Sequence, residues 1–243
     1  MVLVCRWALS TVTDLVELVS IHYAYKRVGG PIVDLTTADY RLLQSGHKLY
    51  IVGHGAAGQV GAISAADLAK ALTKGPKPLR KGVNIDIIFT SCNAGISKPL
   101  TDSTVTQLRK GLEAEKYTGV RVQGAMGPSI KSDVTGTQYA VVDPNPARKG
   151  PAGVVEGKMF GVFRPKEKLA AWLKTPEGRA ATIARRAEYA ATISQLFYTQ
   201  LTAELKDKGL LLDARRSMVA ERTPGRSPKV GALIEKFEKL SRR

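Results

Sequence analysis

Apolar positions along the 243-residue chain fall into short β-branched runs separated by stretches with helical spacing. Val2–Val4 and Ile32–Leu35 read as short strands, and Leu49–Val52 as a clearer one. "SAADLAKAL" follows, where Ser64 is a helix cap, Asp67 an acidic form of the capping box, and Leu68, Ala71 and Leu72 one apolar face. The loop Lys74 to Gly82 is basic and broken by prolines. Ile85–Thr90 is nearly continuous in apolar character, as expected of a strand buried on both faces. "TDSTVTQLRKGLEAEKY" reads as a helix capped by Asp102 or Ser103, with Val105, Leu108 and Leu112 on one side. "GVRVQGAMG" returns to strand around Val120 and Val122.

This alternation between residues 48 and 125 is the signature of a parallel α/β sheet with flanking helices. Residues 128–157 are rich in Gly, Pro, Ser and Thr around a strand candidate, Gln138–Val142. Lys158–Phe163, "KMFGVF", is one more strand candidate. From Arg164 the pattern becomes helical: "KEKLAAWLK", then a long stretch ending at the terminator Gly209, then the amphipathic "VGALIEKFEKLSRR". The expected organisation is an α/β domain over residues 1–163, with a basic helical region over 164–243 packed on it.

Charge adds a partner class. The net charge is +16, and the region from Arg164 onward carries 18 basic against 9 acidic residues. Such a surface attracts anions or merely solubilises the chain. The five C-terminal aromatics, Trp172, Tyr189, Phe197, Tyr198 and Phe237, fall mostly at helix-core spacings, which argues against a nucleic-acid surface. No apolar run is long enough to span a bilayer. The apolar N-terminus contains Arg6, Asp14 and Glu17 and does not read as a signal peptide. Two cysteines, Cys5 and Cys92, make no disulfide framework and no zinc spacing. Free thiols suit a reducing compartment, the cytoplasm or a target cell reached by a non-classical route.

The stretch Gly53-His54-Gly55-Ala56-Ala57-Gly58 fits G-x-G-x-x-G by its letters. Its context fails for a dinucleotide, because the helix cap stands at Ser64 and no acid closes the next strand. No cofactor is implied. A second reading accounts for more residues. His54 ends one strand and Cys92 ends the next, so neighbouring strands would place both on the C-terminal rim of the sheet, where ligand sites lie. A histidine there can take the thiol proton of a nucleophilic cysteine. Gly55, lacking Cβ, lets its N–H approach a developing oxyanion, with the N–H of Cys92 as second donor.

"LYIVGHG" and "IDIIFTSCNAG", with 38 positions from His54 to Cys92, resemble the caspase-like (clan CD) cysteine peptidases. The likeness is to the bacterial branch that includes clostripain-like enzymes and the self-processing domains of toxins. It covers roughly residues 48–125, and the caspase-type Q-A-C-x-G is absent. The resemblance implies His54 as general acid/base, Cys92 as nucleophile, and the Gly55 and Cys92 amides as oxyanion hole. It implies a protein or peptide substrate whose residue before the scissile bond enters a pocket built by "VRVQGAMGPSIKSDVTG". Asp133 either sits in that pocket and favours Lys or Arg, or is a solvated loop residue. Toxin members of the clan further suggest an anionic small-molecule activator. The alternative from another class is a non-catalytic basic binding protein, for nucleic acid or another polyanion, on a degenerate form of the fold.

Overall fold

The computed structural model describes residues 1–132, 135–141 and 163–224. Its centre is a six-stranded sheet built from β1 (Val2–Val4), β2 (Ile32–Asp34), β3 (Lys48–Val52), β7 (Asp86–Phe89), β8 (Arg121–Ala125) and β11 (Met218–Arg222). The order is β11-β8-β7-β3-β1-β2. Five strands run parallel, and only β11 pairs antiparallel, with β8. The fold is therefore α/β, as the alternation of runs predicts.

Pleating divides the side chains of these strands between two cores. Leu3, Leu49, Ile51, Ile87, Phe89 and Val122 pack on one face. There they meet α2 (Ala65–Lys74) through Leu68 and Leu72, and α3 (Thr104–Ala114) through Val105, Leu108 and Leu112. Val2, Val4, Tyr50 and Val52 pack on the other. That face is covered by α1 (Leu15–Val28), by α4 (Phe163–Leu173) and by α6 (Ile183–Asp207), which follows the short α5 (Pro176–Ala180). A strand apolar on both sides is what a two-faced sheet requires, so the apolar run of β3 is explained by its central position.

The helix signals act as expected. The Ser64 side chain accepts the N–H of Asp67 at 3.0 Å and donates its own hydroxyl to the Asp67 carboxylate at 2.7 Å. Ser103, rather than Asp102, caps α3 by accepting the N–H of Thr106 at 3.0 Å. The segment between β3 and α2 forms a small three-stranded meander, β4 (Gly55–Ala56), β5 (Gln59–Val60) and β6 (Ile63–Ser64). It keeps a helix N-terminus away from the glycines.

Several elements differ from the expectation. The N-terminal segment holds a full helix, α1, capped by Asp14 and closed by Gly29 at φ 57°. Its apolar residues are spread too widely around the helix to give a narrow stripe, because it is packed between the sheet and α6. The loop region after residue 128 contains a hairpin, β9 (Ser129–Ser132) with β10 (Thr137–Ala140). Phe163 opens helix α4 instead of ending a strand, and the rest of "KMFGVF" lies outside the described residues. The C-terminal region is not purely helical, since β11 completes the sheet edge. It also shares the core of the α/β part: Leu169, Ala187 and Ala190 are buried against Val2, Val4 and Tyr50. The "VGALIEKFEKLSRR" segment lies outside the described residues. Among the described residues no helix is long and apolar enough to cross a membrane.

Candidate active site

The chain runs from β1 to β2 on one side of the sheet, and from β3 to β7 on the other. The C-terminal ends of the adjacent strands β1 and β3 thus border a topological switch point, where α/β folds place their ligand sites. Three groups gather there. Asp14 comes from the loop after β1, His54 from directly beyond β3, and Cys92 from beyond β7, the neighbour of β3.

Asp14 has two roles at once. One carboxylate oxygen accepts the Glu17 N–H at 2.9 Å, capping α1. The same oxygen lies 3.2 Å from Nε2 of His54. The hydrogen bond to Asp14 raises the imidazole above the ordinary histidine range, against the opposing effect of burial. Burial alone would raise the Asp14 carboxyl. The bonds from His54 and from the Glu17 N–H outweigh it and hold the group below the usual carboxylate range. The pair is half exposed, at 47% for the His54 side chain and 33% for Asp14, so solvent reaches the imidazole.

Gly55 sits against the nucleophile candidate. A methyl group there would overlap the carbonyl oxygen of Cys92 and stand 2.7 Å from the Ser91 Cβ. Only glycine allows this approach. The bond from the Gly61 N–H to the His54 carbonyl, 2.6 Å, makes that pair a hydrogen-bonded one. Alternation along the ladder then leaves Gly55, opposite Val60, in a non-hydrogen-bonded position with its N–H turned away from β5. Thr104 holds the meander from the far side. It donates its hydroxyl to the Ala56 carbonyl at 2.8 Å and accepts the Gly58 N–H at 3.1 Å.

Cys92 is partly exposed, unlike Cys5, which is fully buried with its thiol pushed up by that burial. The Ser129 N–H donates to the Cys92 Sγ at 3.2 Å. The turn after Cys92 is fixed to the end of β8 by Asn93 N–H to Gly127 carbonyl, 2.8 Å, and Gly95 N–H to Ala125 carbonyl, 2.9 Å. Asn93 adopts φ 57°, a left-handed conformation that asparagine tolerates better than most residues. Beneath the site, the Thr90 hydroxyl donates to the Ile51 carbonyl at 3.1 Å and locks β7 to β3.

Two further side chains border the site. Lys131, on β9, is only 8% exposed and close enough to Cys92 and His54 to sense both charges. Tyr198, on α6, is partly buried, and its hydroxyl is raised first by that burial and then by Asp14 and Cys92. The structure therefore brings His54, Gly55 and Cys92 to one rim, as their spacing predicts, while Asp133 lies outside the described residues. Sequence reasoning misses Asp14, Lys131 and Tyr198. Asp14 carried a usable signal, since Asp14-Leu15-Val16-Glu17 is an N-capping pattern with an acid three residues on. Lys131 and Tyr198 carried none, because their positions depend on the packing of α6 against the hairpin. Among the described residues no group of three or more His, Cys, Asp or Glu side chains is arranged to hold a metal ion. No family model, curated protein or solved structure matches the chain.

Proposed function

We propose that this protein is a cysteine endopeptidase of the caspase-like type, with Cys92 as nucleophile and His54 as general acid/base. The observation that carries this reading is the seating of Gly55, the residue after His54, on the backbone of Cys92, at the C-terminal ends of two adjacent parallel strands. Asp14 is a positioning residue. By accepting from Nε2, it selects the tautomer in which Nδ1 is the basic nitrogen.

The chemistry follows from these roles. His54 Nδ1 takes the Cys92 thiol proton, and the sulfur forms a bond to the scissile carbonyl carbon. Negative charge moves to the carbonyl oxygen, where the N–H groups of Gly55 and Cys92 would receive it. Collapse breaks the C–N bond, and the imidazolium gives its proton to the leaving amine. The acyl-thioester is then cleaved by water, deprotonated by His54, releasing a carboxylic acid and the free thiol. Asp14 stabilises the imidazolium in both halves. The Ser129 N–H supports negative charge on Sγ before attack.

Treatment with a peptidyl acyloxymethyl ketone, followed by intact-mass analysis and peptide mapping, tests this. One adduct on Cys92 is expected, together with cleavage of an unfolded protein substrate that is absent in Cys92→Ala. His54→Ala should lower the rate roughly 10²–10⁴-fold. Absence of both adduct and cleavage sinks the reading. The basic binding alternative has no feature of comparable definition among the described residues.

A further inference from the structure

A cavity of about 240 Å³ opens between α1, the β9–β10 hairpin and α6. Its wall includes Lys131, Tyr198 and Lys206, with Thr135, Gln195 and Thr199 supplying neutral polar groups. Among the described residues no Asp or Glu belongs to its lining. Lys131 is more than nine-tenths buried there. Among the described residues its ammonium has no hydrogen-bond or ion-pair partner. An ammonium without a protein partner, carried on a largely buried side chain, is a ready site for an anion.

Position ties this cation to the reaction. β9 starts at Ser129, whose N–H touches the Cys92 sulfur at 3.2 Å, and Lys131 is two residues further along the same strand. Lys131 is near enough to Cys92 and His54 to interact with both electrostatically, while the intervening Ile130 turns to the other face of the strand, against Leu201 and Leu205. A peptide whose carbonyl carbon sits on the sulfur therefore has the cavity beside its adjacent side chain. We infer that this cavity is the pocket for the substrate residue that donates the scissile carbonyl, and that Lys131 selects an Asp or Glu there by pairing with its carboxylate. The inference rests on the assignment of Cys92 as nucleophile.

Burial weakens the protonation of Lys131, while charge on Cys92 opposes that effect. An incoming carboxylate acts in the same direction as Cys92 and gives the ammonium the partner it lacks. Neutral isosteres, Asn and Gln, fill the same volume without that charge, so they separate shape from electrostatics. Lysine or arginine would bring a second cation against a buried one.

The test is the rate of Cys92 labelling by peptidyl acyloxymethyl ketones that differ only in the residue next to the warhead: Asp, Asn, Glu, Gln, Lys or Leu. In the wild-type protein, the better of Asp and Glu should label roughly ten-fold or more faster than its amide. In Lys131→Met, this acid-to-amide ratio should fall to near one. In Lys131→Glu, the preference should move toward Lys. A wild-type ratio near one overturns the inference, as does a preference for Lys or a ratio unchanged in Lys131→Met. The wild-type ratios decide it even if a variant misfolds. Those outcomes leave the peptidase reading standing. Failure of every probe to label Cys92 above the Cys92→Ala background overturns that reading and the pocket with it.

Discussion

Asparagine caps a helix about as well as aspartate, so Asp14→Asn separates the two roles of Asp14. The cap on α1 survives, while the charge facing His54 is lost. A hydrogen bond to a charged group contributes about 1.5–3 kcal/mol. Turnover by Asp14→Asn should therefore fall roughly ten- to a hundred-fold, and the limb of the pH–rate profile governed by His54 should move to lower pH. Under the proposed mechanism, a slower rate with an unmoved profile would make Asp14 merely structural. The cysteines give a second prediction at this scale. Cys5 is fully buried with a raised thiol, whereas Cys92 is partly exposed. Iodoacetamide on the folded protein should modify Cys92 alone, as read by peptide mapping, and both cysteines only after denaturation. His54, Gly55 and Cys92 were legible because strand ends and glycines mark backbone positions. Asp14 was present as a cap but acquires its partner only by folding.

The meander β4–β6 is a short element tied to α3 by the buried side chain of Thr104. Thr104 is fully buried and makes two bonds to it, at 2.8 and 3.1 Å. Thr104→Val keeps the shape and removes both, leaving the Ala56 carbonyl and the Gly58 N–H without that partner. A cost of about 1–3 kcal/mol is expected in denaturant unfolding. Because Gly55 is part of the same element, kcat should fall more than KM rises. β11 is the other dependent element. Glu221 accepts from Arg109 and from Thr106, each at 2.7 Å, across 112 and 115 positions of sequence. Glu221→Ala should cost about 1 kcal/mol, since partial exposure screens the ion pair. Faster amide exchange confined to β11 and the neighbouring edge of β8 would show the same loosening. β11 escaped the sequence reading because "MVAER" is a half-exposed edge strand in a charged region, paired with a strand far away. α1 escaped because its apolar positions surround the helix.

At the scale of the molecule, the Asp14–His54 pair joins the ends of two central strands, and its effect on stability has a defined pH window. The folded His54 pKa is raised, so its contribution is fully present below the unfolded value near 6.5 and is lost as pH rises through the folded value. The folded Asp14 pKa is lowered, so its contribution is present above the unfolded value near 3.9 and is lost as pH falls through the folded value. The difference in Tm between wild type and Asp14→Asn should therefore peak between the two folded values and shrink on either side. A pH-independent difference would show that the pair contributes no linkage. The C-terminal helices belong to this same scale. α6 covers α1 and one wall of the Lys131 cavity, so the basic region is part of the site's frame.

The sequence by itself determined the alternation of strands and helices, the apolar runs that become β3 and β7, the cap at Ser64, and the placement of His54 and Cys92 at strand ends; it left the cap of α3 open between Asp102 and Ser103. Each feature it determined depends on local spacing, on backbone chemistry, or on burial that a strand experiences wherever it lies in a covered sheet. Only the tertiary structure decided that β1 and β3 flank the switch point, that Asp14 reaches His54, and that β9 carries Lys131 into a cavity walled by α6. Those contacts join segments far apart in the chain. Their partners are chosen by the packing of whole elements, which residue type and spacing do not encode.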